Sequence, residues 1–315
     1  MRRVLISGAS IAGPTLAYWL DRYGFEVTVV EKAPTVRQGG YPIDIRGSAM
    51  EVCERMGLLP ALREAHIGTR RMTALTEGGR VAARVDMAAL LGAAADRDVE
   101  LPRGELSDIL YALTKDRVEY VFDDSISALE QTAGGVDVTF THGAPRTVDV
   151  VVGADGLHSV TRRLAFGPER DYHHYLGLCF AGFTVPNTDG LSHEIVIQNG
   201  PGFGAALYAV RDQPWVQAMV FFATPQPARG WTADDLRAQV AERFAGFDSP
   251  IPGLLETADR APGPACGCAI RASGWHRCSP GSSGTRPRCG SPTIRDPQRD
   301  GVLGGQQLQL RHRRR

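Results

Sequence analysis

The sequence predicts an α/β protein in which a parallel strand–helix–strand unit leads into a mostly antiparallel sheet. Three observations predict it. Arg3–Gly8 is a short apolar run, Ile11–Tyr23 has a helical pattern, and Phe25–Glu31 (FEVTVVE) is a second apolar run; that order reads as a βαβ unit. A further strand–turn–helix pattern recurs at 148–163, VDVVVGADGLHSVTRR. Between 170 and 225 come the runs HHYLGLCFAGFTV, HEIVIQ, GAALYAV and WVQAMVFFA, the alternation of antiparallel strands.

The first turn carries the chemistry. Gly8-Ala9-Ser10-Ile11-Ala12-Gly13 matches G-x-G-x-x-G with Ser10 at the second glycine position. Gly8 permits a tight turn, Gly13 lets helix and strand pack closely, and the helix N-terminus offers N–H groups to a pyrophosphate. Ser10 is small enough for backbone approach, at some steric cost. Pro14 falls in the first helical turn, where a missing N–H is tolerated. Glu31, followed by Lys32, ends the second strand 23 residues after Gly8, where a carboxylate accepts both ribose hydroxyls of an adenosine. A carboxylate there disfavours a 2′-phosphate, so the site suits FAD or NAD and not NADP. At the second strand–turn–helix, Asp155 and Gly156 sit at the carboxyl end of a strand, where open α/β sheets place ligands.

Composition bounds the remaining options. With 315 residues, 43% hydrophobic and 22% charged, the chain reads as globular and large enough for one or two domains. A formal charge of zero argues against a general nucleic-acid or anionic-membrane binder. There is no apolar run of spanning length, and Gly8, Ser10, Gly13 and Pro14 interrupt the only leader-like stretch, so a cytoplasmic location is expected. Cys53 and Cys179 lie in the ordered body, as buried thiols commonly do. No H-E-x-x-H or G-x-S-x-G motif appears, and no catalytic side chain or metal ligand is assigned in the body; His173 and His174 read as structural or solvent-facing.

Four motifs in order resemble the FAD-dependent aromatic hydroxylases, the class A flavoprotein monooxygenases, in their tetracycline-inactivating and polyketide hydroxylase branch. They are GASIAGPTLAYWL with Glu31, GGYPIDIRG (Gly39 to Gly47), LPRGELSDIL (Leu101 to Leu110) and GADGLHSVTR (Gly153 to Arg162). The resemblance covers roughly residues 1–260. It implies a Rossmann-like FAD-binding domain (1–72 and 100–168) with an inserted, mostly antiparallel substrate domain (73–99 and 169–262). It implies that Arg103 contacts FAD, that Arg46 lies beside the isoalloxazine, and that Asp155 and Gly156 shape the approach of FAD and nicotinamide. The activity implied is hydroxylation of an aromatic or polyketide-type small molecule through a flavin C4a-hydroperoxide, with O₂ and with NAD(P)H as transient reductant. An NAD-linked dehydrogenase and a non-catalytic dinucleotide-binding fragment remain open beside it.

The C-terminal segment, 263–315, is expected to be irregular. From Arg271 onward ten Arg face only Asp296 and Asp300, a net charge of about +8. The resemblance implies a second FAD motif here, G-D-A-A-x-C-x-S-P; Cys289, Ser291 and Pro292 match its end, while Gly284-Thr285-Arg286-Pro287 replaces its start. Ser282 to Pro287, read one base out of frame with G at the free codon positions, gives Val-Val-Gly-Asp-Ala-Ala. The segment therefore reads as a displaced frame, with Thr285 where a ribityl-binding Asp belongs and the closing helices missing. A zinc site from Cys266, Cys268, His276, Cys278 and Cys289 lacks a C-x-x-C knuckle. A basic tail touching nucleic acid is the other alternative.

Overall fold

The structure is a computed structural model. It describes residues 2–37, 41–92, 97–227 and 232–247, with the backbone of strands at 265–272, 277–278 and 289–290. Two compact units divide the chain, Met1–Arg271 and Ala272–Arg315.

The chain opens with β1 (Arg3–Ser7), α1 (Ala12–Arg22), β2 (Glu26–Glu31), β3 (Pro42–Ile45), α2 (Ser48–Arg55) and α3 (Leu59–Glu64). It continues with β4 (Arg71–Leu75), β5 (Val81–Asp86), α4 (Met87–Leu91), β6 (Val99–Pro102) and α5 (Arg103–Thr114). Then come β7 (Glu119–Phe122), β8 (Ile126–Thr132), β9 (Gly135–Phe140), β10 (Arg146–Val148), β11 (Val150–Gly153) and α6 (Val160–Phe166). The last elements of the body are β12 (His173–Pro186), β13 (Glu194–Gly200), β14 (Phe203–Ala209), β15 (Trp215–Ala223) and α7 (Ala233–Arg243).

The expected βαβ unit is present: β1 and β2 pair in parallel across α1, with Val4 opposite Val27 and Ile6 opposite Val29. Together with β11 and β7 they make a four-stranded parallel sheet, order β11-β1-β2-β7. Its two faces are covered by different partners. Val4, Ile6, Val27 and Val29 pack with Ala17 of α1, while Leu5 and Val30 pack with Ile126, Val138, Phe140 and Val148. The period-two alternation of RVLIS thus serves two cores at once, and burying each such side chain contributes about 1.5–3 kcal/mol. The second cover is a three-stranded sheet, β10-β9-β8, which sequence reading did not anticipate.

Residues 173–223 form the expected antiparallel ladder, β12 against β15, β15 against β14 and β14 against β13. Its odd face along β12 (Cys179, Ala181, Phe183, Val185) is buried with Leu236 and Val240 of α7 and with Phe244 just after it. That helix starts at a capping box, Thr232 with Asp235, which satisfies two otherwise orphan N–H groups. The ladder also recruits the N-terminal half: β4 pairs in parallel with β13 and antiparallel with β5.

One correction concerns the segment expected to be irregular. It carries β16 (Ala265–Ala272), which extends the large sheet beside β12, and two short strands, β17 (Arg277–Cys278) and β18 (Cys289–Gly290). In ACGCAIRA the residues Cys266, Cys268 and Ile270 alternate with small or polar ones, a strand pattern that ligand spacing had obscured. Thr285 and the displaced-frame motif around it lie outside the described residues.

Two buried acids tie separate segments of the chain together. Asp124, only 5% exposed, accepts the backbone N–H groups of Ser125, His142 and Gly143 at 2.8–3.0 Å. Burial raises its pKa, but the combined backbone hydrogen bonds outweigh this and hold it below the usual carboxylate range. Glu194 is likewise lowered, chiefly by the Arg71 hydrogen bond at 2.7 Å, against burial and with help from Thr73. A carboxylate depressed in the folded state stabilises fully above its unfolded pKa, about 4, and that contribution is lost as pH falls through the folded value. Urea midpoints should therefore drop steeply below about pH 4, and Asp124→Asn should lower the neutral-pH midpoint while flattening the acid slope. An unchanged slope in that variant would remove Asp124 from the account.

Candidate functional site

The carboxyl ends of β1, β2 and β11 meet at one edge of the parallel sheet, and the sequence-marked residues gather there. Gly8 leaves β1 with φ of +110°, its N–H donating to Val30 O at 2.7 Å. A Cβ at Gly8 would stand 2.5 Å from Ala154 O, so the first and last strands approach too closely for a side chain. A Cβ at Gly13 would overlap the Gly8 carbonyl oxygen, which fixes how near α1 starts to the turn. Helix α1 has no side-chain cap at its N-terminus, so its first N–H groups remain for an anion. Ala12, the first helical residue, is exposed.

Glu31 faces this turn from the end of β2. Its two carboxylate oxygens accept the N–H groups of Ala9 at 2.8 Å and Ala33 at 3.0 Å. That grip leaves lone pairs for ribose hydroxyls, since a carboxylate offers about four acceptor positions. Lys32 is exposed beside it. On the opposite side Arg103, the first residue of α5, donates through Nη2 to Ser10 Oγ at 2.7 Å. Ser10 is therefore more than a tolerated replacement for glycine: it joins the turn to α5. The Arg103 N–H donates to the Tyr41 carbonyl at 3.3 Å.

Asp155 is the knot of the second turn. Its carboxylate accepts from Ser7 Oγ at 3.3 Å, Thr161 N–H at 2.9 Å, Thr161 Oγ at 3.0 Å and the Ser159 hydroxyl. Ser159 in turn caps α6 by accepting the Arg162 N–H at 2.9 Å. Gly156 follows with φ of +78°. The Asp155 side chain thus holds the loop against β1, and the loop backbone, not the carboxylate, is what faces outward.

Arg46 stands apart. It is exposed and ion-paired to Asp44 at 3.2 Å and Asp98 at 3.3 Å. In the β3–β6 pair, Pro42 opposes Pro102 beside Arg103 and Ile45 opposes Val99, so Arg46 and Arg103 lie at opposite ends of one short ladder. Near Arg46, burial pushes the Glu100 carboxyl up, against a Thr69 hydrogen bond of 2.5 Å. Burial first, then Glu100 and Asp44, raise the Tyr208 phenol. Tyr208 and Glu100 escaped sequence reading because neither spacing nor composition marks a strand residue as site-facing; Tyr41 lay within GGYPIDIRG but was not singled out.

A distinct apolar face adjoins this region. Along β12 the even residues Leu176, Leu178 and Phe180 point away from the α7-covered core, and Leu176 is 51% exposed. Phe180 pairs across the ladder with the exposed Phe221, and Tyr41 meets its ring edge-on at 5.6 Å. Tyr41 thereby touches both this face and the Arg103 end of the turn. If Arg103 contacts a dinucleotide as the resemblance implies, Arg103→Ala should weaken dinucleotide binding about tenfold or more, through loss of one charge-assisted contact of about 1.5–3 kcal/mol. Fluorescence titration checks this, and equal affinity in the variant would unseat Arg103.

The FAD binding domain family matches residues 1–247. The chain is 41% identical over 243 residues to the uncharacterized protein Rv1260 of Mycobacterium tuberculosis, covering 77% of this chain and 65% of that protein. It is 36% identical over 191 residues to a flavin-dependent monooxygenase of Legionella longbeachae, covering 61% of this chain and 49% of that one. The chain thus spans from about half to just under two thirds of the length of these relatives. Among solved structures, tetracycline destructase Tet(51) superposes with a TM-score of 0.75 at 26% identity, covering 88% of this chain and 72% of its own. No helix among the described residues is long and apolar enough to cross a membrane.

Proposed function

The chain belongs to the FAD binding domain family, and from that membership we propose that it serves an FAD-dependent monooxygenase that hydroxylates an aromatic or polyketide-type small molecule. The observation that carries this reading is the meeting of the Gly8–Gly13 turn, Glu31 and Arg103 at one sheet edge, next to an aromatic-lined face. Residues 1–72 and 100–168 are taken as the cofactor-binding part, and 73–99 with 169–262 as the substrate sheet.

The residues present fit FAD. Backbone at Gly8, Ser10, Ala12 and Gly13 would cradle the pyrophosphate, Glu31 with Lys32 beside it would hold the adenosine ribose, and Arg103 would contact the cofactor from α5. Arg46 and the Asp155–Gly156 loop would border the ring system. Bound FAD would supply the redox chemistry, taking electrons from NAD(P)H and activating O₂. The protein's part is position and dryness. Phe180, Phe221 and Tyr41 offer π-faces and edges for an aromatic ring, and Leu176 and Leu178 add exposed apolar surface beside them. The raised Tyr208 phenol stays a hydrogen-bond donor at neutral pH.

The test is to purify the chain with added FAD and follow NAD(P)H oxidation and O₂ uptake with phenolic and polyketide substrates. Yellow protein with substrate-stimulated NAD(P)H oxidation supports the reading. A colourless protein that binds NAD would favour a dehydrogenase, and FAD binding without O₂ uptake under any reductant would leave a binding fragment. With Thr285 in place of the expected aspartate, flavin retention should be weak, and the same chain with 282–287 read in the displaced frame should hold it better.

A further inference from the structure

We propose that His158, Glu169 and His173 form a binding site for a first-row divalent transition metal, zinc being the type ion. This site lies apart from the cofactor edge and rests on none of the roles assigned there. His158 follows the Asp155–Gly156 loop, Glu169 opens a short 3₁₀ turn at Glu169–Asp171, and His173 is the first residue of β12. Three separate elements therefore deliver one ligand each, and their donor atoms all lie within 4.8 Å of one another.

The tautomer of His173 is what points to a cation. Its side chain is only 8% exposed. Nε2 lies 2.8 Å from the Leu157 carbonyl oxygen and 3.0 Å from Arg162 Nη2, which itself donates to that carbonyl at 2.6 Å; the shorter of the two Nε2 contacts puts the N–H on the carbonyl. Nδ1 then presents a bare lone pair. It is buried with no hydrogen-bond partner, although Glu169 Oε1 stands 3.2 Å away. A lone pair facing a carboxylate oxygen is an acceptor against an acceptor, and a cation between them resolves it. His158 Nδ1 closes on the same carboxylate from the exposed side, at 3.1 Å from Oε2.

The arrangement matches metal chemistry in two respects. Tetrahedral zinc with bonds of about 2.0–2.1 Å places its donors about 3.3 Å apart, close to the 3.1 and 3.2 Å found between Glu169 and the two imidazoles. A ligating histidine also usually donates its other N–H to a carbonyl or carboxylate, as His173 does to Leu157. Two imidazoles and one carboxylate suit zinc, copper, nickel or cobalt better than magnesium or calcium, with the remaining position open to water. Arg162 limits the affinity. Its Nη2 lies 4.0 Å from Glu169 Oε2 but donates to the Leu157 carbonyl at 2.6 Å, so its charge is held on the Nε2 side of His173. Bound metal would tie the loop after β11 to the start of β12, clamping the cofactor-side sheet to the substrate-side strand.

The experiment uses the full chain with Cys266, Cys268, Cys278 and Cys289 changed to Ser, so that tail thiolates do not compete. Cobalt(II) and zinc(II) are titrated by calorimetry, by cobalt visible absorption and by melting temperature. One equivalent should bind with d–d bands and no thiolate charge-transfer band, and zinc should raise the melting temperature. His158→Ala, at an exposed position, and Glu169→Gln should each weaken binding about tenfold or more, while magnesium should have no effect. Equal metal affinity in the parent and both variants overturns the site. So does an absence of saturable binding, or an NMR spectrum showing His173 doubly protonated at neutral pH with no zinc uptake.

Discussion

Gly13→Ala should lower stability by about 2–4 kcal/mol and flavin affinity at least about a hundredfold. The reason is geometric. The new Cβ overlaps the Gly8 carbonyl oxygen, and that carbonyl is fixed because the Gly8 N–H is bonded to Val30 and its Cα faces the Ala154–Asp155 backbone. Backbone on both sides cannot yield cheaply, so the strain must move α1 away from β1. Displacing α1 exposes the contacts of Ala17 with Val4, Ile6, Val27 and Val29 and swings the first-turn N–H groups off the pyrophosphate position. Thermal melting by circular dichroism and flavin fluorescence titration measure the two effects separately. Parental melting and affinity in the Gly13→Ala variant would show that helix and turn can part without cost. Arg22→Ala is the control, since that side chain is exposed at the far end of α1.

Asp155→Ala is the second large effect, expected at about 2–4 kcal/mol. Removing the carboxylate strands Ser7 and Thr161, which are 5% and 6% exposed, so water cannot replace the lost acceptor. It also unmoors Ser159, whose hydroxyl caps α6, a further loss of about 1 kcal/mol if the cap fails. Asp155→Asn keeps one carbonyl oxygen and should cost about half as much. The resemblance implies a role for this aspartate at the cofactor, and the hydrogen bonds give it one in holding the loop. The two separate experimentally. A structural role predicts that both variants lose stability before flavin is added, whereas a purely cofactor-facing role predicts normal melting of the flavin-free protein and weak binding alone.

Local chemistry was legible in the sequence wherever it was written in consecutive residues. The βαβ unit could be read from Arg3 to Glu31 because alternation, glycine spacing and the terminal carboxylate all fall within one stretch. Helix α7 is legible in its own stretch, ADDLRAQVAER, through its acidic first turn, and the Thr232 cap sets its start. Long-range pairings were not legible. Nothing in RMTAL marks it as the parallel neighbour of β13, and nothing around Asp124 tells that three backbone amides turn toward it. His173 and His174 show the same limit within two residues. Strand alternation turns the first inward and exposes the second, but its inner partners, Leu157, Arg162 and Glu169, lie on other segments.

The β4–β13 pairing also sets a timetable for the growing chain. Arg71 and Glu194, joined at 2.7 Å in the finished sheet, are 123 residues apart in sequence. At about 5–20 residues per second, β4 leaves the ribosome about 6–25 s before its partner exists. Throughout that interval the β4–β5 hairpin has an unpaired edge capable of accepting the wrong strand. The hairpin's other strand, VAARVD, is largely exposed and carries Arg84 and Asp86, charges that discourage capture on that side and leave the β4 edge open. Nascent chains stalled short of residue 194 should therefore recruit holding chaperones, and those released beyond residue 223 should not.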